Sequence, residues 1–558
     1  MIRLFPTSSS RSRALHLAAG LALLAAATPS LLTAQDHKPV FDPGNLVVSR
    51  TVYDNLPGNV TVGETLPPNC LASTGGCVAA VNNGAFPYIF NNAPVDASFG
   101  ITSRIFLDRV TPSGRVLNTL EVPNSLDPWV KSTTDHLVTS FSSKSELGLH
   151  LSTDGRYLTF MGYVAPANTL DVSNSNTAAA FDATNPVPSS YYRAAATVDR
   201  WGNFTFTETN AYSGNNGRAA ILNNTWGNDV FYTAGNAGNG SNPQPQNIVL
   251  GAGAQIFNLV HAPEFDQAPG LPTPVGSFSV TELGDKADKV GKDDNFRGIT
   301  LFKNVLYFTK GSGGNGVNTV YFVDTTGKAC PNGTGLPAAG ATAPTTPLSY
   351  TLPLPAAGLP NNMCVLNGFP TTSNKVVNPI NYPFALWFAN DHTLYVADEG
   401  DGYTGGTDLY THAAAQTLAG LEKWTLNDST GTWELAYTLS NGLNLGAPYT
   451  VPGYPTGTNT ATGLPWAPAT DGLRNFVGKV EDDGTVTIYA ITSTISGNGD
   501  TGADPDKLVV IEDRLYNTTA AGAAWEKFRT LRTAGFGEAL RGVSFGPVSD
   551  EDDHGRGW

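Results

Sequence analysis

The sequence predicts an all-β fold, and three observations carry the prediction. First, the composition suits short strands joined by turns: 558 residues contain 60 Gly and 38 Pro, only 14% are charged, and 41% are hydrophobic. Second, one pattern returns along the chain: two alternating apolar runs around a tight polar turn, leaving through a Gly/Asn/Asp loop. It opens at Ser142 (SSKSELGLHLSTDGRYLTFMGYVA), Gly214, Lys292 (KDDNFRGITLFKNVLYFTKGSGGNG), Asn381 and Thr470. The turns STDGR, EDDG and NDH are hairpin chemistry, since Asp, Asn and Gly tolerate the positive φ of a close reversal. Third, most of these pairs are followed by two further strands, as in YYRAAATVDRWGNFTFTETNA and GLEKWTLNDSTGTWELAYTLS. Four strands at a spacing of roughly 70 to 90 residues describe the blades of a β-propeller, in which neighbouring blades bury each other's faces.

Residues 1–34 read as a secretory signal peptide. Arg3, Arg11 and Arg13 precede the apolar run ALHLAAGLALLAAATPSLL, and a small residue stands before Gln35. A membrane anchor is the alternative, disfavoured by the Ala-rich run and its Gly and Pro. The expectation is therefore an exported protein, periplasmic or extracellular, with no membrane association after cleavage. Residues 35–549 form the propeller and 550–558 an acidic polar tail. Five units count as blades. A sixth combines GEALRGVSFGPV from Gly537 with NLVVSRTVYD and IFLDRVTPSGRVLNTLEV near the mature N-terminus. Closing the ring with strands from both ends removes an open sheet edge. Six blades are preferred; the alternative is seven, with strands hidden in the 330–364 and 446–468 excursions.

Four cysteines fit export. Cys70 with Cys77 and Cys330 with Cys364 are the natural local disulfides, although four cysteines allow three connectivities. No Cys-x-x-Cys spacing favours zinc. The net charge of −15 argues against nucleic acid or anionic lipid as the main partner.

TLYVADEGDG, with PFALWF before it and LEKWTL after it, resembles an NHL-type propeller repeat. SELGLHLSTDGRYLTFMGY, NFRGITLFKNVLYFTKGSG and ALRGVSFGP resemble the blades of a large family of exported bacterial proteins without an assigned activity. The likeness runs from about Leu46 to Pro547, with longer loops than plain NHL repeats. It implies the fold and leaves function open, because propellers host binding and catalysis alike.

The first strands of the blades carry a second pattern: Asn215-x-x-Arg218, Asp294-x-x-Arg297, Asp471-x-x-Arg474 and Glu538-x-x-Arg541, with Glu146 near that place in the Ser142 unit. First strands line the central channel. Arginines there either clamp neighbouring blades or hold an anion, since the planar guanidinium suits carboxylate, sulfate or phosphate. Oxygen-rich loops raise a second expectation, a Ca²⁺ site from Asp398, Glu399 and Asp401 or from Asp500 and Asp504. No Gly-x-Ser-x-Gly, His-Glu-x-x-His or Gly-x-x-x-x-Gly-Lys motif is found. STDGRY resembles an incomplete Asp-box turn of sialidases. His136, His150, His261 and His392 are read as ordinary surface or core residues. The tryptophans Trp201, Trp226, Trp387, Trp424, Trp433 and Trp466 are read as packing between blades rather than sugar platforms.

Two functions follow. The first is a binding module for a glycan, a cell-envelope component or a protein, held by the loops over the channel mouth. The second is an enzyme acting on an anionic substrate, a phosphoester or ester hydrolase or a glycan lyase or hydrolase. It would use Arg297, Arg474 and Arg541 as anion clamp and Glu146, Asp294 or Glu538 as acid/base.

Overall fold

The structure is a computed structural model that describes residues 38–53, 65–66, 78–79, 101–130, 136–170, 172–177, 189–225, 229–236, 253–259, 295–313, 316–345, 363–374, 376–459, 463–497 and 502–549. The chain divides into Met1–Lys38 and Pro39–Trp558. The second unit is a six-bladed β-propeller.

Blade 1 is the closing blade. Its innermost strand, Glu538–Phe545, comes from the C-terminal part of the chain and pairs antiparallel with Leu46–Val52; Thr102–Val110 and Val116–Glu121 follow outward. Blade 2 runs His150–Leu151, Tyr157–Tyr163, Arg193–Asp199 and Phe204–Thr209. Blade 3 has three described strands, Gly217–Asn223, Val230–Gly235 and Ala254–Asn258. Blade 4 opens with Phe296–Phe302, Val305–Lys310 and Thr319–Val323 and continues with Met363–Leu366, on which Thr334–Gly335 pairs in parallel. Blade 5 comprises Pro383–Asn390, Thr393–Asp398, Gly420–Asn427 and Thr432–Leu439, with the helix Leu409–Ala415 between its second and third strands. Blade 6 comprises Ala469–Val480, Thr485–Ile495, Lys507–Arg514 and Arg529–Thr533.

The excursions counted for a seventh blade resolve differently. The 330–364 segment returns to blade 4 as Met363–Leu366, and the Cys330–Cys364 disulfide ties the two ends of the excursion, with 5.8 Å between Cα atoms. Among the described residues the 446–468 segment makes only isolated bridges, Pro448 to Ala469 and Thr458 to Pro465. Cys70, Cys77 and residues 1–34 lie outside the described residues. Among the described residues no helix is long and apolar enough to cross a membrane.

Burial follows from packing sheets face to face. A middle strand such as Val230–Gly235 is buried along its whole length, because both its faces meet neighbouring blades. The outer strand Val116–Glu121 has no fully buried residue. The apolar contacts form clusters between consecutive blades: Phe41, Ile105 and Leu107 with Leu158 and Phe160 between blades 1 and 2, and Tyr395 and Leu421 with Leu473 and Ile488 between blades 5 and 6. The hairpin turn of blade 4 is Lys303–Asn304, with φ of 47° and 60°, the left-handed pair that a two-residue reversal requires.

Candidate anion site at the propeller axis

The four repeated arginines share a backbone feature. Each sits at a register break of its innermost strand: between Gly217 and Ala219 for Arg218, Phe296 and Ile299 for Arg297, and Leu473 and Phe476 for Arg474. Arg541 stands opposite the break between Ser49 and Arg50. A β-bulge bends the strand and re-aims a side chain. All four arginines are buried, at 3 to 5% exposure.

Three of the residues three positions earlier engage other groups. Asp471 accepts from the Gly402 amide at 2.8 Å and the Gln416 side-chain amide at 2.6 Å. Glu538 pairs with Arg50 at 2.8 Å, in a network with Asp108 of blade 1 and Arg532 of blade 6. The Asn215 side chain is engaged by Asn236. Asp294 lies outside the described residues.

Instead, Arg297 of blade 4, Arg474 of blade 6 and Lys144, which precedes blade 2, meet one carboxylate. Glu399, directly after the second strand of blade 5, has Oε1 at 3.6 Å from Arg297 Nε and Oε2 at 3.5 Å from Arg474 Nε and 3.3 Å from Lys144 Nζ. Burial alone would raise the Glu399 carboxyl, but the three cations hold it down at about 2. The backbone enforces this approach. A Cβ on Gly472 would stand 2.4 Å from the Asp398 carbonyl oxygen and 2.5 Å from the Glu399 carbonyl carbon, so blade 6 reaches Glu399 only through a glycine. Gly298, beside Arg297, similarly admits the Phe384 carbonyl of blade 5, 2.3 Å from where its Cβ would be.

The ring continues on both sides. Arg218 donates to the Asn295 side chain and to the Phe296 carbonyl at 2.8 Å. Burial first, and then Arg297, pull its pKa well below the usual value. Arg541 donates to the carbonyls of Phe141 and Gly502. Asp506, which feels Arg541 and Arg474, is nevertheless pushed up to about 7 by burial. Lys144 is lowered by desolvation, with Arg297 and Arg474 adding to the shift and Glu399 opposing it. Its side chain is 28% exposed, the most accessible cation of the ring.

Glu146 lies inside the fold and accepts from the Thr139 and Tyr163 hydroxyls, the Ser140 amide at 3.0 Å and the Asn216 side chain at 3.4 Å; burial raises its pKa. The acidic loop residues have separate engagements. Asp398 accepts from the Tyr382 and Gly400 amides, Asp401 contacts His412 Nε2 at 2.6 Å, and Asp504 accepts from the Tyr454 and Ser496 hydroxyls. Asp500 lies outside the described residues. Among the described residues the one group of three metal-ligand side chains within 4.8 Å is Asp324, Cys330 and Cys364, whose cysteines form the disulfide.

Near the Lys144 end stands a pair that motif reading did not single out. The Tyr403 ring stacks on His412 at 4.1 Å, and Gln416 links the Asp401 amide to the Asp471 carboxylate. His136 is buried, and His392 is exposed beside Asp428. Trp424, Trp433 and Trp466 are buried in the packing, while Trp201 is 48% exposed. His261 and Trp226 lie outside the described residues.

No known protein family matches the chain. No curated protein matches it either. Among solved structures, an ulvan lyase of polysaccharide lyase family PL25, bound to -[GlcA(1-4)Rha3S]-, is similar at 11% identity over 81% of this chain and 90% of that one, with a TM-score of 0.29. A second structure of a PL25 ulvan lyase covers 91% of this chain and 97% of its own, at 11% identity and a TM-score of 0.26. An endo-1,5-α-L-arabinanase from Thermotoga petrophila RKU-1, in complex with TRIS, is similar at 10% identity over 80% and 96%, with a TM-score of 0.23. Likeness at this level carries no argument about activity.

Proposed function

We propose that the protein is an exported propeller, its secretory signal in residues 1–34, that binds an anionic group of a glycan, cell-envelope component or protein in the ring of cations at its axis. The observation that supports this reading is the convergence of Arg297, Arg474 and Lys144, from three different parts of the ring, on the single charge of Glu399. Buried like charges gathered on one carboxylate are expensive unless a further negative group shares them.

The experiment is thermal unfolding of the mature chain against uronates, sialic acid, inositol phosphates and neutral sugars. A ligand at a hundred times its Kd should add about 2.7 kcal/mol. A shift confined to anionic ligands and lost in folded Arg297→Ala and Arg474→Ala variants is the expected result. Equal shifts with neutral sugars, or shifts retained in both variants, would place recognition elsewhere.

The second reading, an enzyme on an anionic substrate, is favoured by the Asp401–His412 pair near Lys144, whose imidazole is 37% exposed. There the pair would be the acid/base, because Glu146 is committed to four donors and Glu538 to Arg50. Release of product from p-nitrophenyl phosphate or a p-nitrophenyl ester, lost in His412→Gln, would support it. Absence of turnover across both probe classes and the glycan panel would leave the binding reading.

A further inference from the structure

We propose that residues 515–528 are a proton-controlled strap between blades 5 and 6: the neutral carboxyl of Glu526 donates to the Asp513 carboxylate and fastens the segment, and loss of that proton loosens it. The strap is independent of the ring of cations and of any ligand held there.

The strap joins the third and fourth strands of blade 6 and lies over the end of blade 5. The Phe528 amide donates to the Asn441 carbonyl at 2.9 Å, and the Asn441 side-chain amide donates to the Glu526 carbonyl at 3.3 Å. Gly442 admits this approach, because a Cβ there would stand 2.4 Å from the Phe528 carbonyl oxygen. Ala523 and Phe528 are buried in the apolar cluster shared by the two blades. Tyr516 and Trp525, on the same segment, are largely exposed, so docking of the strap decides where two large aromatic rings stand.

Beneath the strap the charges are already matched. Lys423 of blade 5 lies 3.0 Å from Asp513 of blade 6, and Asp513 also accepts from the Tyr395 hydroxyl and from the Tyr437 hydroxyl at 2.8 Å. Lys423 donates as well to the carbonyls of Arg514 at 2.7 Å and Leu515 at 3.2 Å, where the strap begins. Glu526 brings a second carboxyl to this single cation. Its Oε1 accepts from the Asn517 side chain at 2.8 Å. Its Oε2 is buried without a donor among the described residues, and the carboxyl is within hydrogen-bond reach of Asp513. Two ionised carboxylates are acceptors only; a proton on Glu526 turns one of them into a donor and satisfies the buried oxygen.

The groups that act on Glu526 are Asp513 from blade 6 and Lys423, Tyr395 and Tyr437 from blade 5. On the strap itself the Lys527 stem packs at Gly442, and the Arg514 guanidinium turns away to Asp483 at 3.2 Å. Burial first, and then Asp513, raise the Glu526 carboxyl to about 8, with Asn517 and Lys423 opposing. A solvated glutamate releases its proton near its ordinary value of about 4.3. The fastening is therefore complete at acid pH, weakens as pH rises between these two values, and changes no further above about 8.

The test is hydrogen–deuterium exchange of the mature chain at about pH 5.5 and about pH 7.5, read by mass spectrometry on strap peptides and corrected for the intrinsic pH dependence of exchange. One proton released on opening raises the opening constant by about tenfold per pH unit. Protection of the strap amides, Glu526 and Phe528 among them, should fall at least tenfold between the two conditions, relative to the blade 6 strand Thr485–Ile495. Glu526→Gln keeps a donor toward Asp513 and cannot ionise, so its strap should stay protected in both. Glu526→Ala should leave the strap poorly protected in both, with the Thr485–Ile495 strand still protected. Equal protection of the wild-type strap in the two conditions would overturn the proposal. So would a Glu526→Gln strap that loosens with pH as the wild type does, which would assign the titration to another group, or one already open at the lower pH in a folded chain.

Discussion

Two buried arginines of this propeller should behave in opposite ways when replaced by methionine. Arg193, in blade 2, is fully buried, and its five N–H groups share seven acceptor contacts: the carbonyls of Asn215 (twice), Asn176, Tyr191, Ser173 and Ser175, and the Ser175 hydroxyl. Its guanidinium also stands 5.1 Å from the Tyr163 ring centre. Asn176 and Ser175 carbonyls each accept a second donor, from the Tyr191 and Gly214 amides. The carbonyls of Tyr191 and Asn215 have no other donor among the described residues. Each buried acceptor left unsatisfied costs roughly 1–3 kcal/mol, so Arg193→Met should lose about 4 kcal/mol. Arg474→Met removes one 3.5 Å contact, and Glu399 keeps Lys144 and Arg297. Relief of repulsion with Lys144 offsets part of that loss, so about 1 kcal/mol is expected. Urea unfolding followed by tryptophan fluorescence reads both. Equal losses would refute the distinction between a structural and a ligand-directed arginine, and would make Arg474 a blade clamp.

Three further outcomes follow from the same contacts. Lys423 of blade 5 is fully buried against Asp513 of blade 6 at 3.0 Å, so Lys423→Met should cost about 3 kcal/mol, and Asp513→Asn in the same chain should recover more than half in urea unfolding. Burial raises the folded-state pKa of Asp398, Asp471 and Asp506 to about 7 and of Glu422 to about 8. Their stabilising contribution is present at acid pH and is lost as pH rises through those values. Glu399, held near 2, and the buried His150, held near 4, act in the opposite sense: their contribution is complete above the unfolded pKa and is lost on acidification. Of the two opposing groups only His150 titrates between about pH 5 and pH 8, so the raised carboxyls dominate there and Tm should fall over that range; a steady rise would contradict the assignment. EDTA and added Ca²⁺ should leave Tm unchanged if the protein partners of Asp398, Glu399, Asp401 and Asp504 hold these carboxylates; a fall of several degrees with EDTA would support a calcium site.

The architecture was legible because hairpin grammar is local. Alternation, turn residues such as those of STDGR and EDDG, and a strand at each end of the chain specify blades without knowledge of tertiary contacts. The arginines were legible for the same reason, since they recur at one place in the repeat. Their partners were not. Spacing suggested Asp471 for Arg474 and Glu538 for Arg541, but each arginine lies at a bulge or opposite one, and a bulge resets which face a side chain takes. Glu399 stood in a loop whose composition suggested calcium. The signal that could have found it is negative: blade 5 alone has no polar residue at the arginine position, and an acid follows its second strand. Lys144 and Arg193 carry no local mark, since a lysine before a two-residue strand or an arginine opening a strand is ordinary surface chemistry until the neighbouring blade covers it.

The most direct measurement is a crystal structure of the mature chain grown or soaked with selenate or tungstate, tetrahedral dianions that reveal themselves by anomalous scattering. An anion bound in the ring gives an anomalous peak between Arg297, Arg474 and Lys144 on the Lys144 side of Glu399. Anomalous peaks confined to other surfaces, with Glu399 drawn in to close hydrogen bonds with all three cations, would contradict it.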